Sequence, residues 1–109
     1  MDNIIKDLYK VIEERKILAD ENSYTAYLLK KGNEKILKKV GEETTELVIA
    51  TMKDDKEEQV LEMCDLIYHL LVLCNNNGIE LLDIENELKR RTLKLNNFKG
   101  ERKEVKELR

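Results

Sequence analysis

The sequence predicts an all-α fold, a bundle of four to five helices that self-association completes. Its 109 residues contain no Pro and only four Gly, so few positions favour tight turns and long elements are expected. Charged residues make up 39% of the chain and aromatic residues 5%, which is typical of amphipathic helices rather than of sheets. A chain this short buries a modest core, so strong apolar helix faces indicate contact with further copies.

Two helices are predicted before the first glycine. Apolar residues at helical spacing indicate the first helix over 3–19, followed by a polar break. Ser23 or Thr25 is a candidate N-cap for a short helix over 26–31. Gly32 would end that helix, because glycine readily adopts the backbone conformation found at helix C-termini.

Three further helices are predicted in the remainder of the chain. A long amphipathic helix over 33–53 is followed by a polar junction, where Asp55 is a candidate N-cap. The next helix, over 56–75, is apolar on almost every side, which predicts a central and buried position. A fifth helix is predicted over 81–95.

Net charge, hydropathy and the two cysteines bear on which partners the protein has and on its cellular location. With a formal net charge of −3, the protein has no overall positive potential that would attract nucleic acid. No apolar run reaches the length of a membrane span. The N-terminus does not resemble a signal peptide, so a cytoplasmic protein is expected. Cys64 and Cys74 are then expected as buried free thiols. The organisation predicted is one domain over 1–97 and a charged, mobile tail over 98–109.

Two acidic segments carry the predicted chemistry. They are Glu42-Glu43-x-x-Glu46 on the third helix and Glu62-x-x-Asp65 on the fourth. Carboxylates three or four positions apart share a helix face, where they repel one another and are costly to desolvate unless a cation compensates. Because the two helices are joined by a short turn, both pairs are expected at the same level. Mg²⁺ suits such an oxygen-only site.

The acidic residues differ in how strongly they indicate a site. For Glu42 and Glu58 a solvated surface charge is an equally open interpretation. Asp65 lies between apolar residues of the fourth helix and therefore calls for a partner. His69, one turn further, is interpreted as a hydrogen-bonded core residue that supports the site at most, and Tyr68 as core.

The acidic pattern resembles the all-α NTP pyrophosphohydrolase superfamily, which includes MazG and the dimeric dUTPases. Within that superfamily the surrounding sequence is similar to the phosphoribosyl-ATP pyrophosphohydrolase family. The stretches that carry this resemblance are LYKVIEERK (8–16), SYT (23–25), KILKKVGEETTELVIA (35–50) and DLIYHLLVL (65–73).

The resemblance implies a MazG-like bundle in dimers or larger assemblies and a Mg²⁺ site, for which Mn²⁺ is a possible substitute. It implies cleavage of phosphoribosyl-ATP to phosphoribosyl-AMP and pyrophosphate, the second step of histidine biosynthesis. Carried over by motif position, the metal ligands are Glu43, Glu46, Glu62 and Asp65, and Glu42 takes the remaining acidic position.

Individual residues can be given roles in hydrolysis as a hypothesis. Glu42 or Glu46 is expected to orient or deprotonate the attacking water. Basic residues are expected to hold the substrate phosphates, and the candidates are Arg15, Lys16, Lys31, Lys35 and Lys39. The Ser23-Tyr24-Thr25 segment is a candidate contact for ribose or base, by resemblance.

Two other functions stay open from the sequence. One is a house-cleaning (d)NTP pyrophosphatase of the same superfamily, because the acidic motifs do not distinguish the two substrates. The other is a non-catalytic helical dimerisation module, in which the acids are surface charges.

Overall fold

A computed structural model describes residues 4–18 and 20–96, which form five α-helices and no β-strand. The predicted all-α class is therefore confirmed. The helices are α1 (Ile4–Leu18), α2 (Tyr24–Lys31), α3 (Asn33–Met52), α4 (Lys56–Asn76) and α5 (Leu81–Asn96). None of these described helices has the length and hydropathy needed to cross a membrane.

The chain divides into two compact units, Met1–Gly78 and Ile79–Arg109. Helices α1 to α4 belong to the first unit, and α5 belongs to the second. A single domain over 1–97 stays a prediction, and the predicted tail over 98–109 lies outside the described residues.

Helix α2 begins two residues earlier than the sequence predicts. Ser23 is its N-cap, and the Ser23 hydroxyl accepts a hydrogen bond from the Ala26 backbone N–H at 3.1 Å. Gly32 ends the helix as predicted, with φ 84° and its N–H donating to the Leu28 carbonyl at 2.9 Å. Because Gly32 is also the residue before α3, the two helices follow one another with a single turning residue between them.

Helices α3 and α4 form an antiparallel hairpin, which is the most extensive helix pairing of the first unit. Its turn contains Asp54 in the left-handed conformation (φ 58°) and Asp55, the predicted N-cap of α4. The Asp55 carboxylate accepts a hydrogen bond from the Glu58 backbone N–H at 3.1 Å, which confirms that prediction.

The open end of the hairpin is closed by side-chain amides. Asn33, at the start of α3, accepts hydrogen bonds from the Asn76 and Asn77 amides at 2.8 Å each. The Asn33 amide donates in return to the Asn77 side-chain oxygen at 2.9 Å. The hairpin is thus fixed at both ends, which sets the level at which residues of α3 face residues of α4.

The core of the first unit takes one fully buried apolar side chain from each of its four helices. These residues are Ile12, Leu28, Ile36 and Val72. Each is completely removed from solvent, and burial of such a side chain contributes about 1.5–3 kcal/mol to folding.

Helix α4 contacts α1, α2 and α3, so its expected central position in the first unit is confirmed, but its expected burial on almost every side is wrong for the single chain. One face of α4 is buried against the other helices, while the opposite face is exposed. The exposed apolar residues of that face are Val60, Met63, Ile67 and Leu70. Cys64 is exposed and Cys74 is partly buried, so the expectation of two buried thiols is also wrong for Cys64. The overall hydrophobicity of a helix does not show which of its faces the single chain can cover.

We predict that Asp55→Ala lowers the free energy of unfolding by about 1 kcal/mol, because it leaves the first turn of α4 uncapped. Asp55→Asn is the matched control, since it removes the same charge but keeps an oxygen acceptor. Urea denaturation of the three proteins measures the effect. Equal destabilisation by Ala and Asn would show that the cap is not the cause.

Candidate metal centre

Three carboxylates meet midway along the α3–α4 hairpin. Glu43 of α3 and Glu62 and Asp65 of α4 place ligand oxygens within 4.8 Å of one another. Glu43 is 6% and Glu62 is 8% exposed, whereas Asp65 is exposed. The cluster therefore has a closed base between the helices and an open rim toward solvent.

Glu62 lies at the centre of this acidic cluster. The pKa of its carboxyl group is raised to about 7, first by burial and then by its contacts with Glu46, Glu43 and Glu58. Its Oε1 atom is buried and has no hydrogen-bond partner among the described residues. Buried polar atoms in proteins nearly always have a partner, so this oxygen fits a site that a cation completes.

Glu46 lies outside the group of three oxygens but contacts Glu62 from the side of the hairpin turn. It borders a cavity of about 410 Å³, which Glu58 and Glu62 also line. The four predicted ligands are thus contiguous, with Glu62 between Glu46 on one side and Glu43 and Asp65 on the other. The donor set contains only carboxylate oxygens, which suits Mg²⁺ better than a softer metal.

Lys39 and Glu42 lie beside the cluster on α3. The Lys39 ammonium is 3.4 Å from Glu42 Oε1 and 3.8 Å from Glu43 Oε1. Glu42 is exposed and is not part of the three-oxygen group. Lys39 therefore places a positive charge next to the acids, where an anionic ligand would approach.

The other predicted phosphate-binding residues lie elsewhere in the first unit. Arg15 and Lys16 line a different cavity, of about 580 Å³, together with Tyr27. The Lys31 ammonium lies 5.9 Å from the centre of the Tyr27 ring, a cation–π distance. Lys35 is partly buried on α3, one turn before Lys39. Of the five basic candidates, the structure shows Lys39 in contact with the acids.

His69 lies behind the acidic cluster and is 4% exposed. Its Nδ1 is 2.8 Å from the Asp65 backbone carbonyl oxygen, and its Nε2 is 3.0 Å from the Tyr24 hydroxyl. The sequence interpretation of a hydrogen-bonded core histidine is confirmed. Its link to Tyr24 was missed, because the two residues are 45 positions apart and periodicity within one helix does not pair residues of different helices.

The hydroxyl groups of the Ser23-Tyr24-Thr25 segment are all engaged within the protein. Ser23 caps α2, Tyr24 bonds to His69, and Thr25 bonds to the Tyr68 hydroxyl. The Tyr24 and Tyr68 rings also stack, with centroids 6.3 Å apart. This segment joins α2 to α4, and a substrate contact for it stays a prediction.

Comparisons with known proteins identify the same family that the sequence motifs resemble. A family model described as phosphoribosyl-ATP pyrophosphohydrolase matches residues 5–92, which include every acidic residue of the cluster. A phosphoribosyl-ATP pyrophosphatase of Clostridium acetobutylicum is 53% identical over 105 residues, 96% of each chain. A phosphoribosyl-ATP pyrophosphatase of Clostridium novyi is 49% identical, and the match covers 99% of this chain and 100% of the relative. A phosphoribosyl-ATP pyrophosphatase of Bacillus cytotoxicus is 50% identical, and the match covers 96% of this chain and 97% of the relative.

We predict that the stability of the metal-free protein falls as the pH rises from about 4.5 to about 7. The pKa of Glu62 is higher in the folded than in the unfolded chain, so the folded state binds more protons in this window and loses that advantage above it. Glu62→Gln should abolish this loss and should be more stable than wild type above pH 7.

Chemical denaturation in EDTA at pH 5 and pH 8 measures the difference. Glu13→Gln, on an exposed part of α1, is the matched control for removal of one charge. A Glu62→Gln protein with the same pH dependence as wild type would contradict the prediction.

Proposed function

This chain belongs to the phosphoribosyl-ATP pyrophosphohydrolase family, and on that premise we propose that it hydrolyses phosphoribosyl-ATP to phosphoribosyl-AMP and pyrophosphate. This reaction would be the second step of histidine biosynthesis. The observation that carries the chemistry is the convergence of Glu43, Glu62 and Asp65 between two helices. The extent of the similarity, about half of all residues over nearly the whole chain, supports the choice of substrate. Cytoplasmic localisation stays a prediction.

We propose that Glu43, Glu62 and Asp65 hold Mg²⁺, with Glu46 as the adjoining carboxylate, and that Mn²⁺ can replace it. The support is the oxygen-only donor set and the buried Glu62 oxygen without a partner among the described residues. When bound, the ion would offset the repulsion between carboxylates and substrate phosphates and would make phosphorus more electrophilic.

The residues around the ion site would have separate roles. Lys39 would bind a phosphate oxygen at the open rim, next to Glu43. Glu46 would accept the proton of the attacking water, because it lies outside the three-oxygen group and borders a cavity that can hold water. Glu42 is the alternative base; its pairing with Lys39 would then have to break.

We propose that the exposed apolar face of α4 binds a second copy of the chain. Val60, Met63, Ile67 and Leu70 follow one another at intervals of three and four residues, the spacing of a helix–helix seam. Each side chain is between 39% and 53% exposed in the single chain, which is unusual for a continuous apolar stripe.

We predict that Asp65→Asn and Glu46→Gln both abolish most of the activity, for different reasons. Asp65→Asn should lower metal affinity and should reduce kcat/KM by more than the roughly 100-fold that loss of an outer-shell partner costs. Glu46→Gln should lower kcat by about 10²–10⁴-fold with Mn²⁺ affinity largely kept, as expected for a general base.

Pyrophosphate release from phosphoribosyl-ATP with Mg²⁺ measures activity, and calorimetry with Mn²⁺ measures affinity. Glu13→Gln, on α1, is the control and should remain active. Full activity of either acidic-site variant would overturn its assigned role. A clear preference of the wild type for dUTP or another nucleotide would favour a house-cleaning pyrophosphatase instead.

We predict that Ile67→Glu converts an associated protein to a smaller species, because it places a charge in the middle of the apolar face of α4. Ile17→Glu is the matched control, since Ile17 is 82% exposed on α1 and outside that face. Size-exclusion chromatography with light scattering gives the masses. A monomeric wild type, or equal dissociation by both substitutions, would contradict this interface.

A further inference from the structure

We propose that Tyr24 and His69 form a positioning pair, in which the Tyr24 hydroxyl donates to Nε2 and fixes the orientation of an imidazole whose Nδ1–H bonds to the Asp65 backbone carbonyl, beside Glu43. The pair would hold the base of the acidic cluster in its ligand-binding arrangement. This inference rests on the proposed metal site but concerns residues that are not themselves ligands.

The location of the imidazole proton follows from the chemistry of its neighbours. Nδ1 of His69 lies 2.8 Å from the backbone carbonyl oxygen of Asp65, which can only accept a hydrogen bond. Nδ1 must therefore carry a proton. In a neutral ring the other nitrogen, Nε2, then presents a lone pair.

Tyr24 supplies the donor that this lone pair requires. Its hydroxyl lies 3.0 Å from Nε2 of His69, and the two rings meet edge to face at 85° with centroids 5.9 Å apart. Burial raises the pKa of Tyr24, so the hydroxyl keeps its proton at neutral pH. The hydrogen bonds thus run in one direction, from Tyr24 of α2 through the imidazole to the backbone of α4.

The position of the ring connects this chain of hydrogen bonds to two proposed ligands. Nδ1 of His69 is 3.8 Å from Glu43 Oε1 on α3, and its acceptor is the backbone of Asp65 on α4. The Nδ1–H is therefore directed at the backbone of one proposed ligand, Asp65, and lies beside the carboxylate of another, Glu43. Both ring nitrogens are already engaged, so His69 is a positioning residue rather than a metal ligand or a general base.

The structure also contains a matched internal control. Thr25 and Tyr68 form a second hydroxyl contact between the same two helices, one residue further along α2 and one residue earlier on α4. Their contact ties α2 to α4 but does not involve an imidazole or an acidic residue. Loss of the Thr25 hydroxyl therefore tests the tie between the helices and the placement of the Tyr68 ring, which stacks on Tyr24 and meets His69 edge to face. Loss of the Tyr24 hydroxyl removes the donor to Nε2 of His69.

The experiment compares Tyr24→Phe with Thr25→Val in the full-length protein. Long-range ¹H–¹⁵N NMR of the metal-free protein reports the His69 tautomer, and calorimetry reports Mn²⁺ affinity without substrate. We expect the Nδ1–H tautomer in all three proteins, because the Asp65 carbonyl is unchanged, and a shifted Nε2 resonance in Tyr24→Phe alone, where Nε2 has lost its donor. Mn²⁺ affinity should fall about tenfold in Tyr24→Phe, the lower end of the usual effect of an outer-shell partner, and should be unchanged in Thr25→Val.

A second pair of variants distinguishes positioning from simple loss of packing. His69→Asn keeps an amide donor close to the position of Nδ1, whereas His69→Ala removes it. We expect His69→Asn to retain more Mn²⁺ affinity than His69→Ala. Equal affinities of these two variants would overturn the proposal.

The remaining outcomes are equally decisive. An Nε2-protonated ring in wild type, or equal Mn²⁺ affinities of Tyr24→Phe and Thr25→Val, would overturn the positioning role while leaving the proposed function intact. A wild type that binds no Mn²⁺ and does not hydrolyse phosphoribosyl-ATP would overturn the proposed function, and the positioning role with it.

Discussion

The antiparallel packing of α3 against α4 is the constraint on which the other features of the site depend. It places the carboxylates of Glu43 and Glu62 face to face at low exposure, where like charges repel and lose hydration. The hairpin is held in this arrangement from outside the cluster. The Asp55 cap closes one end, the Asn33 amide cluster closes the other, and apolar side chains such as Ile36 and Val72 pack between.

An acidic cluster of this kind is a local conflict within an otherwise consistent fold. Two properties of Glu62 show this conflict. The pKa of its carboxyl group is raised, and one of its buried oxygens has no hydrogen-bond partner among the described residues, because the carboxyl group is held away from water beside other acids. Natural proteins retain such conflicts at functional sites, where a ligand resolves them. The repulsion between carboxylates in the free chain and the cation binding proposed for the site would therefore have one physical origin.

Helix α2 is short, yet it determines much of what surrounds the site. Gly32 turns the chain directly into α3, so α2 is kept close to the hairpin. The hydroxyls of Tyr24 and Thr25 then reach Tyr68 and His69 on α4. The acids would supply the ligand oxygens of the proposed ion site, while α2 and the aromatic residues of α4 form the polar layer behind them.

The sequence by itself determined the local features: the five helices, a cap of α2 at Ser23 or Thr25, the cap at Asp55, the stop at Gly32, and acids three positions apart. Each of these depends on residues within one or two helical turns. Tertiary structure alone decided which acids are buried. The sequence singled out Asp65 because of its apolar neighbours, yet Asp65 is exposed and Glu62 is buried. Burial depends on how each helix is rotated against its partner, and the link between Tyr24 and His69 depends on the same rotation. Periodicity along a single helix contains no information about it.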